Sequence, residues 1–231
     1  MFTRVSLSGC GWKVFWYYGV VQKLAEHRLV DLEKVEWITA SGGGGAAIHF
    51  LSGYDGYEGF KRAVRIANLV KADRAHRTVT VAVDQMEKEA PDDIHTTGRL
   101  VICYTKVSLW PFYMRYEMMD EFLTKKDMFD ALRASTSIPV LNDVLRFKNR
   151  HLHVDAGLLC NQPARHHNTL RISAWPLSFG SDIKPQPSAL FENYTISVPP
   201  EEVAEKMFNE GLKDGEKFCL KYKKTREVAS R

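Results

Sequence analysis

Thr39-Ala40-Ser41-Gly42-Gly43-Gly44-Gly45-Ala46-Ala47 joins an apolar, strand-like stretch (Val35, Trp37, Ile38) to a small-residue helical stretch (Ala46, Ala47, Ile48, Phe50, Leu51). A serine on so tight a strand-to-helix turn presents its hydroxyl above a helix N-terminus, the geometry of a nucleophile elbow. Gly43 fills the second glycine position of that elbow, and Thr39 stands where a first glycine is usual. A β-branched residue is disfavoured at a crowded or positive-φ position, so Thr39 is expected to strain the turn.

Outward from this turn, strands and helices alternate. Phe2 to Ser8 reads as a short first strand broken by Gly9-Cys10-Gly11, and Tyr17, Val20, Val21, Leu24 and Ala25 mark a helix after it. Gly53-Tyr54-Asp55-Gly56 is a turn, and Tyr57, Phe60, Val64 and Ala67 recur at helical spacing. Arg99 to Thr105 is a near-continuous apolar run, fit for a buried strand. Asp127 to Ser135 reads as a helix ending before Pro139, while Leu152 to Val154 and Leu170 to Ala174 read as strands. Pro199-Pro200-Glu201-Glu202 opens a last helix, about 200–226, since proline and acidic residues suit a first turn. The order implies a mainly parallel sheet covered on both faces, in a single domain spanning 1–231, with both glycine turns at carboxyl ends of strands.

Composition narrows the classes. An apolar fraction of 45% with 26% charged residues suits one sizeable core. No apolar run approaches the ~20 residues that span a bilayer, and the N-terminus lacks the pattern of a signal peptide. Cys10, Cys103, Cys160 and Cys219 are scattered without a C-x-x-C pair, which favours a reducing, cytoplasmic setting. A net charge of +4 is too small to imply nucleic acid. The basic run Lys217 to Arg226 has two readings, a contact for anionic lipid headgroups or a solvated helix end favoured by its dipole.

Two further segments carry chemistry. Ser8-Gly9-Cys10-Gly11-Trp12-Lys13 follows the first strand, and its glycines let consecutive N–H groups converge as a developing oxyanion requires. Read alone, it favours a tight βα turn with no catalytic duty. His153-Val154-Asp155-Ala156-Gly157 places a carboxylate at a strand end, fit to take a serine proton or simply to form a turn.

Together the three segments resemble the patatin-like phospholipase family, which joins a Gly-rich oxyanion loop, a Gly-x-Ser-x-Gly elbow and an Asp-Gly-Gly or Asp-Gly-Ala motif. Asp130 to Pro139 is similar to the segment before the family's aspartate. Thr97 to Leu100, Ser181 to Gln186 and Pro199 to Gly215 resemble the animal branch containing adipose triglyceride lipase and adiponutrin. The resemblance implies a three-layer α/β/α patatin-like fold and a lipid acyl hydrolase with a Ser–Asp dyad, Ser41 and Asp155. It implies an oxyanion hole from Gly9, Cys10, Gly11, Trp12 and Lys13, with no metal and no cofactor. Its expected partner is a lipid, membrane or lipid-droplet surface met peripherally; a protein activator is left open.

Ala156 departs from the family's first glycine after the aspartate, and its methyl is expected to penalise a left-handed backbone. With Thr39 it motivates an alternative, a catalytically silent lipid-binding member of the same fold. His151-x-His153-x-Asp155 also resembles the start of a metal-ligand motif, since alternate residues of a strand share a face, but Ala156 occupies the place of the next histidine. His166 and His167 are the candidates for a third triad member, read here as loop residues near Pro163. Trp12, Phe15, Trp16, Tyr17 and Tyr18 either line an acyl channel or bury the first helix. His49 is read as a core residue.

Overall fold

The computed structural model describes residues 1–72, 78–138, 146–148, 151–163, 168–187 and 194–229. β1 (Arg4–Leu7) leads through a 3-10 turn (Gly11–Lys13) into α1 (Val14–Glu26), and β2 (Glu36–Ala40) leads into α2 (Gly42–Leu51). Then come α3 (Gly56–Ala72), α4 (Thr78–Glu89), β3 (Leu100–Leu109), β4 (Phe112–Met119) and α5 (Lys125–Thr136). β5 (Arg146–Lys148), β6 (His151–Val154), β7 (Leu170–Ile172) and α6 (Glu201–Ala229) follow. No described helix is long and apolar enough to cross a membrane.

The sheet runs β5-β6-β3-β2-β1-β7, with β4 also paired to β3. β7, β1, β2 and β3 are mutually parallel, while β4 and β6 run antiparallel to β3 and β5 antiparallel to β6. The fold is therefore mixed α/β, with a central, mostly parallel sheet flanked by helices. Alternation along the strands decides what lies where. Val5, Leu7, Trp37, Leu100 and Ile102 join α1, α2, α5 and α6 residues in the main core, and Ile38, Ala40, Val101 and Cys103 form a smaller cluster with Ala156.

Two elements depart from the sequence expectation. The strand expected over 99–105 continues to Leu109, because β4 pairs one of its edges throughout Ile102–Leu109 and β6 pairs the other at Thr105–Ser108. That double pairing holds Lys106 and Ser108 in a strand that their polarity does not announce. α4 is the second, a helix where no periodic signal stood out.

The outer helices meet at glycines. A Cβ on Gly19 of α1 would lie 2.2 Å from the Phe208 carbonyl oxygen, and one on Gly211 of α6 would lie 2.2 Å from that of Trp16. Both clashes are with backbone, so only separation of the helices relieves them. Trp16 lies flat in this contact, its indole N–H donating to Asp214 over 3.0 Å. Gly211→Ala is expected to destabilise the protein by about 1–3 kcal/mol, the usual range for overpacking, read as a lowered midpoint in urea.

Candidate active site

The edges of β3 fix the geometry. Ile102 and Cys103 pair with both β2 and β4, and Thr105 to Ser108 pair with both β4 and β6. A strand has two edges, so β2 and β6 must share the one opposite β4. They arrive from opposite directions: Ala40 lies across from Cys103, and Val154 across from Thr105. Only Tyr104 separates the two registers. Ser41 follows one strand and Asp155 the other, so the two residues meet head to head on the wall of one cavity, where the Ser41 hydroxyl favours the ionised Asp155 carboxylate.

Ser41 has φ +49° and ψ −129°, a conformation rare for any residue with a side chain. Its N–H donates to the Ser135 hydroxyl over 2.8 Å and its carbonyl accepts from Gly44 N–H over 2.9 Å, so both neighbouring peptide groups are held. The strain belongs to Ser41 alone. Among the described residues the positive-φ positions outside glycine are Arg28 and Ser41. Thr39 therefore does not strain the turn as expected: it is regular β2, and its buried hydroxyl donates to the Val101 carbonyl over 3.0 Å. Ala156 corrects a second expectation. It begins a 3-10 turn with ordinary φ, and its fully buried methyl packs against Ile38, Ala40, Val101 and Cys103.

The glycines serve close approach. A Cβ on Gly42 would come within 2.7 Å of the Gly11 carbonyl oxygen, and one on Gly43 within 2.7 Å of that of Leu7. The loops after β1 and β2 are thus in backbone contact. Gly11, at φ +55°, turns against the Thr195 carbonyl, where a Cβ would be impossible at 1.7 Å. Within this loop three N–H groups are occupied: Gly9 donates to the Asn161 carbonyl, Trp12 to that of Thr195 and Lys13 to that of Cys10. Among the described residues, the N–H groups of Cys10 and Gly11 have no such backbone bond.

The Lys13 ammonium does not reach the reacting atoms. It is fully buried 3.2 Å from the centre of the Trp175 ring, and burial lowers its pKa to about 8. The Trp175 indole in turn donates to the Gly9 carbonyl over 2.5 Å. Lys13 and Trp175 thereby brace the loop from behind. Sequence reading missed Asn161, Trp175, Thr195 and Ser135, whose roles depend on partners far away in the chain.

Burial, more than anything else, raises the pKa of half-buried Asp155, while bonds from Ser41 and from Gly157 N–H (2.6 Å) oppose the rise. A cavity of about 320 Å³ opens beside the pair, with Gly9, Cys10, Ser41 and Asp155 in its lining. Val79, Val83 and Met86 of α4 and Leu132 of α5 make its apolar wall. Arg133, nearly buried, fastens that wall by binding Asp84 over 2.6 Å and Glu87 on α4 and Asp130 on α5. Of the early aromatics only Trp12 reaches the cavity; Phe15, Trp16, Tyr17 and Tyr18 are fully buried in the core. His49 is a core residue too, bonded to the Tyr18 hydroxyl over 2.6 Å and lowered to about 4 by burial.

The metal-ligand reading fails on geometry. His151 meets the Tyr113 hydroxyl at 3.0 Å, His153 stacks on Tyr104 and Asp155 turns to Ser41. Among the described residues no group of His, Cys, Asp and Glu is placed to hold a metal ion. His166 and His167 lie outside the described residues.

The chain has a patatin-like α/β fold, a central, mostly parallel sheet flanked by helices, as a structural likeness shows. The solved structure of VipD from Legionella pneumophila shares it at a TM-score of 0.67 and 12% identity, over 95% of this chain and 67% of VipD. At that identity the likeness establishes the fold alone. No family model and no curated protein matches the sequence.

Two predictions follow from this geometry. Thr39→Gly removes a satisfied buried hydroxyl and loosens a central strand, so it is expected to lower stability by about 1–2 kcal/mol in urea titration. It relieves nothing at Ser41. Asp155 has a folded pKa above its unfolded value of about 3.8, so its charge opposes folding. That penalty is absent below the unfolded pKa and grows as pH rises towards the folded one. Asp155→Asn should therefore raise the melting temperature at pH 7, and the gain over wild type should vanish as pH falls below the unfolded value.

Proposed function

We propose that the chain is a serine acyl hydrolase of the patatin-like kind, cleaving fatty-acyl esters of glycerolipids through an acyl-enzyme. The observation that carries this reading is a strained Ser41 set against the Asp155 carboxylate on the wall of a mainly apolar cavity. Asp155 takes the Ser41 proton as the serine oxygen attacks the ester carbonyl. The developing oxyanion is held by N–H groups of Cys10 and Gly11, with Gly42 at the start of α2 beside them. Collapse of the tetrahedral species breaks the ester C–O bond, and the alcohol leaves with the proton held by Asp155. Water then attacks the acyl-enzyme with the same carboxylate as base, releasing a fatty acid and restoring Ser41.

The cavity favours an acyl chain over a polar substrate, since its lining is mainly apolar. The silent lipid-binding alternative was motivated by strain at Thr39 and Ala156, and both residues sit in relaxed conformations.

Ser41→Ala is expected to lower hydrolysis of a short soluble ester, such as a p-nitrophenyl butyrate, by about a thousandfold or more. Far-ultraviolet circular dichroism should be unchanged, and labelling by a serine-directed fluorophosphonate should disappear. Full turnover by the variant, or no turnover by the wild type, would overturn the reading.

A further inference from the structure

Beyond the site, β3 and β4 continue as a hairpin that the proposed chemistry does not use. β2 ends level with Cys103, and β3 runs on in the same direction to Leu109. At about 3.3 Å per residue, Trp110 stands about 20 Å past the level of Ser41, on the side where the cavity lies. This tip is Trp110-Pro111-Phe112-Tyr113-Met114, and it is bare: Trp110 is 94% exposed and Phe112 71%. Consecutive residues from Phe112 to Arg115 are all exposed, so both faces of β4 are free at the tip.

We propose that this hairpin tip is a docking element that inserts into a lipid surface and sets the cavity mouth against it. The proposal deepens the acyl-hydrolase reading and rests on it for the class of partner. Tryptophan, tyrosine and phenylalanine at one projecting point match the interface between headgroups and acyl chains, where an apolar ring with a polar edge is favoured.

Charge points the same way. Among the described residues past Tyr104 on the hairpin, namely 105–116, there are Lys106 and Arg115 and no carboxylate. Glu117, level with Tyr104, is shared by Arg115 and Lys106, at 2.5 and 3.9 Å, and leaves that trio positive. A basic collar behind an apolar tip suits anionic headgroups.

The mouth continues the apolar surface. Leu158 follows the lining residue Gly157, Ile196 itself lines the cavity, and Leu177 and Phe179 stand two and four residues after the lining residue Trp175. All are exposed, Phe179 at 96%. A second copy of the chain is the poorer occupant, because one hairpin tip falls short of the roughly 800 Å² per partner in a specific protein interface.

Sedimentation with phosphatidylcholine vesicles, with and without phosphatidylserine, tests this. Wild type and Ser41→Ala are expected to bind, more tightly with phosphatidylserine. Trp110→Ser/Phe112→Ser should bind about tenfold or more weakly, the loss from keeping two aromatic side chains in water. Trp110→Phe should retain most of the binding, and all these variants except Ser41→Ala should turn over a short soluble ester like wild type. Equal binding by the double variant, no vesicle binding by the wild type, or a variant that changes only the oligomeric state would overturn the proposal. Absent ester turnover in the wild type would instead overturn the hydrolase reading, leaving the vesicle result to stand by itself.

Discussion

One edge of β3 has to accommodate two strands. β4 occupies the other edge, and β2 and β6 approach the shared one from opposite ends until only Tyr104 lies between them. Neither strand can go further, so each chain must turn sharply out of the sheet at that level. β2 does so through a positive φ at Ser41 into α2, and β6 does so through Asp155 into a 3-10 turn. The juxtaposition of hydroxyl and carboxylate is thus a consequence of strand pairing. A backbone strain of about 1–3 kcal/mol at such a residue persists only when its surroundings determine it. Here the bonds from Ser41 N–H to Ser135 and from Gly44 N–H to Ser41 do so.

The second constraint is the backbone contact between the two glycine loops. A ten-residue helix that opens with four glycines is intrinsically poor, each glycine costing about 1 kcal/mol relative to alanine. It forms because α2 is buried nearly throughout and because glycine lets it approach the loop after β1. That approach sets the Cys10 and Gly11 N–H groups beside Ser41. Lys13 and Trp175 then keep the loop from collapsing into the space it borders, through a cation held against a ring in place of a hydrogen bond.

What was legible in the sequence was local. A serine between an apolar strand and a run of glycines, or an aspartate at the end of a strand, signals itself within a few residues, and so does the alternation that gives the mixed α/β fold. Which N–H groups of the loop after β1 are occupied was not legible, because Asn161 and Thr195 bind those of Gly9 and Trp12 from far along the chain. α4 was hidden for a different reason. Thr78-Val79-Thr80-Val81 alternates like a strand, and the segment is helical because Val79, Val83 and Met86 need one common face towards the cavity. Thr39 and Ala156 misled in turn. Each departs from a glycine motif, yet in this chain neither position calls for a glycine's backbone, since Ser41 carries the turn and the Ala156 methyl fills a small core.

Asp155 ties the electrostatics of the pair to its surroundings. Its carboxylate is partly withdrawn from water, which makes it a stronger base than an exposed aspartate, while the Ser41 hydroxyl and the Gly157 N–H oppose that rise. Asp155 and the exposed Ile196 line the same open cavity. A lipid surface laid against its mouth removes solvent from that side. In the docked state proposed for the hairpin, the medium around the carboxylate becomes less polar, and both its basicity and the field of the oxyanion donors increase. Docking and chemistry are then coupled through solvent exclusion at one mouth, without any movement of Ser41, Asp155 or the strands that bring them together.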